Sequence, residues 1–343
     1  MLAVARIAQG VDIAGFAGPD AVKLVAPAKV NLFLDIGAKR ADGYHEAVSI
    51  MHALMLHDVL RMKLAPGRGE GLSVDLSCVA REGLAMLDVP VESNIVAKAV
   101  RLLAEKLERT ADETVVACLE KHIPAEAGLG GGSSDAAAAL LGAAHLWRAC
   151  RRSAYRGSST KPGCRRGVFP AWRLRLLHGR GRCVRPCPCA HERQRRAREA
   201  RGRRVHGCRV PRVRRASTAN SEADREAALE AQRAADVPLR NNLVPVSEHL
   251  LPALVDIRLW ASERVDVQRV LMSGSGSAVF MQCATFADAG RVAAEARMRG
   301  WWARATMFGS ACGRGAEPLK FRQPDAFAKS KCYDSVYQSV VIS

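Results

Sequence analysis

The chain has 343 residues, 48% of them hydrophobic, and a formal net charge of +18. That length allows two domains of ordinary size, each with its own core. No apolar run reaches the length of a membrane span and the N-terminus lacks a leader pattern, so a cytoplasmic protein without membrane contact is expected.

The charge suggests nucleic acid only until it is located along the chain. Residues 148–215 hold 22 arginines and one lysine against two glutamates and no aspartate. Their surplus of 21 positive charges exceeds the +18 of the whole chain, so everything else is mildly acidic. The same block carries six of the eleven cysteines.

Residues 1–20 read as a loose extension. The stretch Ala21–Ile36 alternates and is rich in Val and Leu, which predicts a strand. Ala41–His45, ADGYH, is a turn in which Asp-Gly supplies the bend. The run from Glu46 to Leu64 predicts one or two further strands. Ser93–Leu107 opens on cap residues and spaces its apolar groups as a helix does. Thr114–Pro124 returns to strand, and a glycine loop leads into a helix over Ser133–Trp147. Beyond the arginine block, Ser221–Ala235 reads as helix. Val267–Ala284 reads as strand, glycine turn and strand; Phe286–Gly300 is an amphipathic helix, and Trp301–Phe308 closes as a strand. Strands interleaved with helices and hairpins predict α+β rather than a doubly wound parallel sheet.

The glycine loop, AGLGGGSSD over Ala127–Asp135, follows a strand and opens a helix. In that context backbone N–H groups converge on an anion, and glycine lets the backbone approach phosphate oxygens. Ser133 and Ser134 could add hydroxyl donors or a Mg²⁺ contact. A Gly-Lys-Ser/Thr ending is missing, so this is not the common P-loop. A plain helix entry with Asp135 in its first turn is the other reading.

Five motifs occur together and in order: APAKVNLFL (Ala26–Leu34), DGYH (Asp42–His45), SNIVAKA (Ser93–Ala99), PAEAGLGGGSSDAAAAL (Pro124–Leu140) and SGSGSAVF (Ser273–Phe280). Jointly they resemble the GHMP kinase superfamily over about residues 22–147 and 216–315. The resemblance implies a two-domain α+β fold: a ribosomal protein S5 domain 2-like N-terminal domain over 21–147 and a ferredoxin-like C-terminal domain over 216–317, with 318–343 unassigned. It implies ATP and Mg²⁺, and transfer of phosphate to the 2-hydroxyl of 4-diphosphocytidyl-2-C-methyl-D-erythritol by a monomer or homodimer. Lys29 would lie at the reacting oxygen, supported by Asn31. Tyr44 and His45 would meet the cytidine. Ser93, Asn94 and Lys98 would lie near the adenosine, although Ser93 is equally a helix cap. Pro124, Gly128, Leu129, Gly130, Gly131, Gly132, Ser133 and Ser134 would hold the ATP phosphates. Ser273, Gly274, Ser275 and Gly276 would form a second glycine turn on the substrate side. No side chain is assigned to a metal.

One expected part is missing. The family carries an aspartate about thirty residues beyond the glycine loop, where it would orient the hydroxyl proton. Residues 148–215 contain no aspartate. Asp236, in ADVPL, lies too far along and receives no such role. The arginine block instead reads as an out-of-frame translation of a GC-rich gene. Read one base later, CRRGVFPAWR (Cys164–Arg173) permits ADVAFSLHGG, with the aspartate codon straddling Arg165 and Arg166. RRAREARGRRVHGCRVPRVR (Arg195–Arg214) permits VVLVKPEGGVSTAAAYRAFD in the same frame. Both strings resemble the segments expected there. Two compensating frameshifts, near Trp147 and near Arg215, account for the block. As written it is expected to be disordered or misfolded, and the chain to be impaired in activity. A decayed, non-catalytic kinase or a nucleic-acid-binding protein using the basic block is the alternative. Cys183, Cys187, Cys189 and His191 fit no common zinc spacing.

Overall fold

The computed structural model describes residues 14–18, 20–39, 45–81, 83–85, 89–149, 175–178, 182–186, 220–231, 233–309 and 338–343. It is α+β and contains two sheets. The first is built on β1 (Ala21–Lys39) and β2 (His45–Pro66), a long antiparallel pair. β3 (Leu72–Ala80) and β4 (Glu113–Lys121) extend it beyond β2, and the short β7 (Arg240–Asn241) pairs parallel to β1 on the other side. β2 is long enough to take two partners along the same edge. Its C-terminal half pairs with β4, and Val48–Met51 pair with β5 (Arg175–His178), itself joined to β6 (Arg182–Pro186). Two short strands of the arginine block are thus placed on the first sheet; residues 150–174, 179–181 and 187–215 of that block lie outside the described residues.

α1 (Ile95–Lys106) and α2 (Gly131–Leu146) pack against β1 to β4 over a core of Val22, Leu24, Leu60, Met62, Val100 and Leu119. α2 presents mainly alanines, which lets its backbone come close to the sheet. A Cβ built on Gly142 would stand 2.5 Å from the Met62 sulfur and 2.9 Å from Leu24. Asn94 caps α1, its side chain accepting from the Val96 N–H at 2.9 Å. The cap is therefore Asn94 and not Ser93, which is exposed.

The chain continues through α3 (Glu222–Glu230), α4 (Val244–Leu250) and α5 (Ala253–Ser262) to the second sheet. Its strands are β8 (Val267–Met272), β9 (Val279–Cys283), β10 (Ala303–Met307) and β11 (Gln338–Ile342), in the order β10-β11-β9-β8, with α6 (Phe286–Met298) between β9 and β10 in sequence. β11, assigned to no element from the sequence, lies between β9 and β10 and runs antiparallel to both. Val340, Val341 and Ile342 are fully buried there, because the strand sits in the sheet's interior. The helix expected over Ser221–Ala235 ends at Glu230, and Ala234–Asp236 forms a separate 3-10 turn.

The extension read as loose is pinned at its end. Phe16 is buried, the Lys63 ammonium lies 5.5 Å from its ring, and Lys63 donates to the Gly15 carbonyl at 2.6 Å. A further core fills the seam between the sheets. It joins Val30, Leu32 and Ile50 of the first to Leu271, Phe280 and Val341 of the second. Ala127 and Leu129 of the glycine loop belong to it, so the loop is anchored at the seam. Among the described residues no helix is long and apolar enough to cross a membrane.

Candidate functional site

The site begins with the irregularity of β1. The register with β2 shifts between Pro27 and Lys29 and again between Asn31 and Phe33. Such bulges re-aim side chains that regular alternation would send to fixed faces. Lys29 and Asn31 come together here: the Lys29 ammonium donates to Asn31 Oδ1 and to the Gly128 carbonyl, both at 2.5 Å. The Lys29 backbone N–H is bound by the Leu129 carbonyl at 2.9 Å, so strand and glycine loop are joined through main chain as well.

The loop itself needs its glycines at particular positions. Gly128 and Gly130 have φ of 78° and 72°, conformations that L-residues adopt at a cost. Gly130 in this left-handed conformation is the N-cap of α2, which therefore starts at Gly131, two residues before the predicted start. A Cβ on Gly130 would meet the Lys29 side chain at 3.0 Å. The first N–H groups of a helix have no intrahelical acceptor, and the helix dipole adds positive potential there. Gly132 and Ser133 are exposed, so this end of α2 opens to solvent. Ser134 is buried, and its hydroxyl has no hydrogen-bond partner.

The second glycine turn closes on the first. The Ala278 N–H donates to the Ala127 carbonyl at 3.0 Å, and Ser273 Oγ donates to the Gly128 carbonyl at 3.1 Å. The Asn31 N–H reaches Ser273 Oγ at 3.3 Å. A Cβ on Gly274 would lie 3.1 Å from the Gly128 carbonyl and 3.5 Å from the Lys29 nitrogen. Ser275 is exposed, and its carbonyl accepts from Ser247 Oγ at 3.0 Å. Gly276 follows with φ of 88°. Lys29, Asn31, Ser273, Gly274 and the glycine loop therefore form one constellation. An ammonium group, two glycine turns and a helix N-terminus suit an anionic ligand.

Other expected residues stand apart from this centre. Tyr44 lies outside the described residues. His45 begins β2, with Nδ1 2.8 Å from the Gly37 carbonyl and Nε2 without a protein partner. Asn94 is committed to capping α1 and to Cys78, whose sulfur its amide reaches at 3.7 Å. Ser93 and Lys98 are exposed beside it. Pro124 is half-buried at the loop entry, and Leu129 serves as a core side chain, 1% exposed. Asp236 is bound by Arg233 at 2.9 Å.

Several residues escaped the sequence reading. Asn241 fastens the second turn, donating to the Met272 carbonyl at 2.9 Å and the Gly274 carbonyl at 2.8 Å. Ser49 accepts from the Asn31 amide at 2.7 Å and so fixes its orientation. Beneath the glycine loop, Lys121 bridges Asp58 and Asp135, all three buried. Burial pushes the Asp135 carboxyl up to about 7, with Lys121 opposing the rise. Burial alone would lower the Lys121 ammonium, but the two carboxylates outweigh it and the net direction is upward. Asp135 lies beyond the first turn of α2, because the helix starts earlier than its sequence suggested. In the sequence the cluster shows only as single charges: Asp58 inside β2, Lys121 at the end of β4 and Asp135 inside α2. Among the described residues no group of three or more His, Cys, Asp or Glu is placed to hold a metal.

Residues 94–155 match the family described as "GHMP kinases N terminal domain". A 4-diphosphocytidyl-2-C-methyl-D-erythritol kinase of Saccharopolyspora erythraea is 43% identical over 137 residues, 38% of this chain and 39% of the relative. In such matches the chain spans about two fifths of the relative's length. A kinase of the same description from Pelotomaculum thermopropionicum is 32% identical over 289 residues, 80% of this chain and 94% of the relative. The crystal structure of a 4-(cytidine 5'-diphospho)-2C-methyl-D-erythritol kinase superposes with a TM-score of 0.51 at 28% identity, covering 80% of this chain and 95% of the other.

Proposed function

The chain belongs to the 4-diphosphocytidyl-2-C-methyl-D-erythritol kinases of the GHMP superfamily, and on that premise we propose that it binds ATP at the glycine loop and directs the γ-phosphoryl group to the 2-hydroxyl of 4-diphosphocytidyl-2-C-methyl-D-erythritol. The observation that carries this reading is the Lys29 ammonium held between two glycine turns at the open N-terminus of α2. The N–H groups at Gly131, Gly132 and Ser133 would take phosphate oxygens. Lys29 would offset the negative charge that spreads over the transferring group, and its bonds to Asn31 and Gly128 fix its position beforehand. His45, with a free ring nitrogen, would meet the cytidine together with Tyr44. Ser93 and Lys98 would border the adenosine, and Ser273 to Gly276 the substrate.

Mg²⁺ fits as an ion held chiefly by the nucleotide's own phosphates, which it would help neutralise. Among the described residues no group of three or more His, Cys, Asp or Glu is placed to hold it, and the unpartnered Ser134 hydroxyl or the exposed Ser133 could complete its shell. The domains follow the two sheets: the glycine loop and Lys29 from the first, the second turn from the other. The substrate is a small molecule, and neither nucleic acid nor a membrane is a partner.

The chain as written carries no aspartate across 148–215, where the family's proton-orienting carboxylate belongs. We therefore assign it nucleotide binding with impaired transfer. The test compares the purified chain with one whose residues 148–215 are restored to the shifted frame, using ATP, Mg²⁺ and the methylerythritol substrate. Turnover by the restored chain alone is expected. Robust turnover by the chain as written would refute the impairment, and no nucleotide binding by either would refute the function.

A further inference from the structure

We propose that Ser49 is a positioning residue for phosphoryl transfer: its hydroxyl decides which end of the Asn31 amide faces Lys29, and thereby holds the Lys29 ammonium in place. The proposal rests on the reading of Lys29 as the group at the transferring phosphate. Its basis is a hydrogen-bond chain with a fixed direction. Ser49 Oγ donates its single proton to the Phe33 carbonyl at 3.1 Å, so towards Asn31 it can only accept. The Asn31 amide nitrogen meets it at 2.7 Å. Asn31 Oδ1 is thereby turned the other way, where it accepts from Lys29 Nζ at 2.5 Å and lies 3.4 Å from Ser273 Oγ. An inverted amide would set its NH2 group against the ammonium, and its oxygen against a hydroxyl whose proton is already committed.

The strands bring these groups together. Asn31 of β1 stands opposite Met51 of β2, and Ser49, two residues along β2, projects from the same face. Asn31, Ser49 and Ser273 are all buried, so bulk water does not replace a partner that is lost. The second acceptor of the ammonium, the Gly128 carbonyl, belongs to the glycine loop and is itself held by Ser273 Oγ at 3.1 Å. Lys29 is therefore held between a main-chain oxygen fixed by the two glycine turns and a side-chain oxygen oriented by Ser49. A lysine side chain is flexible, and without a fixed acceptor it spreads over several rotamers. A shift of about 1 Å away from the charge that develops in transfer costs up to about 100-fold in rate. Ser49 acts only through Asn31 and Lys29, so its loss should fall on the transfer step and leave ATP affinity nearly unchanged.

The test follows the Lys29 ammonium in proton–nitrogen correlation spectra of the full chain, where its signal is the one that Lys29→Arg lacks. Ser49→Ala should speed the hydrogen exchange of that ammonium about five- to tenfold, and Ser49→Thr, which keeps the hydroxyl, should restore it. In the chain restored to the shifted frame, Ser49→Ala should lower kcat about ten- to 100-fold and change the KM for ATP less than about twofold. Added to Lys29→Ala it should cause no further loss, because it acts through that ammonium. An ammonium signal that Ser49→Ala leaves unchanged, whether sharp in both proteins or missing from both, would overturn the role while leaving the kinase reading intact. So would a Ser49→Ala loss that adds in full to that of Lys29→Ala. No turnover by the restored chain would instead overturn the kinase reading, and this role with it. Should Ser49→Ala not fold, Ser49→Thr and Ser49→Val, alike in shape and differing in the hydroxyl, decide by the same readings: a difference between them supports the role and equal behaviour refutes it.

Discussion

Alanine at Gly128 and alanine at Gly132 are four residues apart in one loop and should have opposite effects. Gly128 has φ of 78°, and its Cβ would stand 2.2 Å from the Ser273 carbonyl oxygen and 3.2 Å from that of Gly276. Both obstacles are backbone of the other turn, so no side-chain rotation relieves them. The left-handed conformation alone costs about 1 kcal/mol for alanine. The two turns must also part by more than the length of a hydrogen bond's tolerance. That loosens the Ala278 to Ala127 bond, the Ser273 to Gly128 bond and the Lys29 ammonium's hold on Gly128, each about 1 kcal/mol. Gly128→Ala is therefore expected to lose about 3–4 kcal/mol of stability. Gly132 lies in the first turn of α2 with no atom within 4 Å of its Cβ position. Gly132→Ala should gain about 0.5 kcal/mol from helix propensity. Its methyl group projects into the open helix end, so ATP binding should weaken although stability rises. Urea unfolding followed by far-UV circular dichroism, with ATP calorimetry on the same samples, reads both quantities. Equal stabilities for the two variants would refute the close packing of the two glycine turns.

In the chain restored to the shifted frame, Lys29→Ala should lower kcat by about 100-fold or more with a much smaller change in ATP affinity, since the ammonium acts on charge developing in transfer; a loss confined to affinity would show it to be a binding group alone. The raised Asp135 carboxyl stabilises the fold fully at a pH below the unfolded value near 4, and that stability is lost as pH rises through about 7. The unfolding free energy of the parent, relative to Asp135→Asn, should therefore fall across this window by at most about 4 kcal/mol, and a flat difference in urea titrations from pH 4 to 8 would refute it. Deleting residues 338–343 removes a central strand whose Val340, Val341 and Ile342 are fully buried, a loss of at least about 5 kcal/mol. The Trp260–Trp301 edge contact, 5.4 Å between ring centroids, should then lose its near-UV signal; an unchanged spectrum would contradict the placement of β11.

The sequence determined what depends on local chemistry and on chain order. Alternation in Ala21–Ile36, the cap before Ile95 and the glycines ahead of α2 specify strand, helix and loop with neighbours only a few residues away. Five motifs in order were enough to point to the superfamily and to Lys29 and the glycine loop. Tertiary structure decided what depends on partners far along the chain. Lys29 faces Gly128 across 99 positions, and Asn31 meets Ser273 across 242, through bulges in β1 that no local pattern announces. β11 carries no motif and follows a stretch with none, yet it completes the second sheet, because what selects it is the slot between β9 and β10. The buried Asp58–Lys121–Asp135 cluster was likewise invisible: each member looks like an ordinary surface charge until three separate elements bring them together out of water.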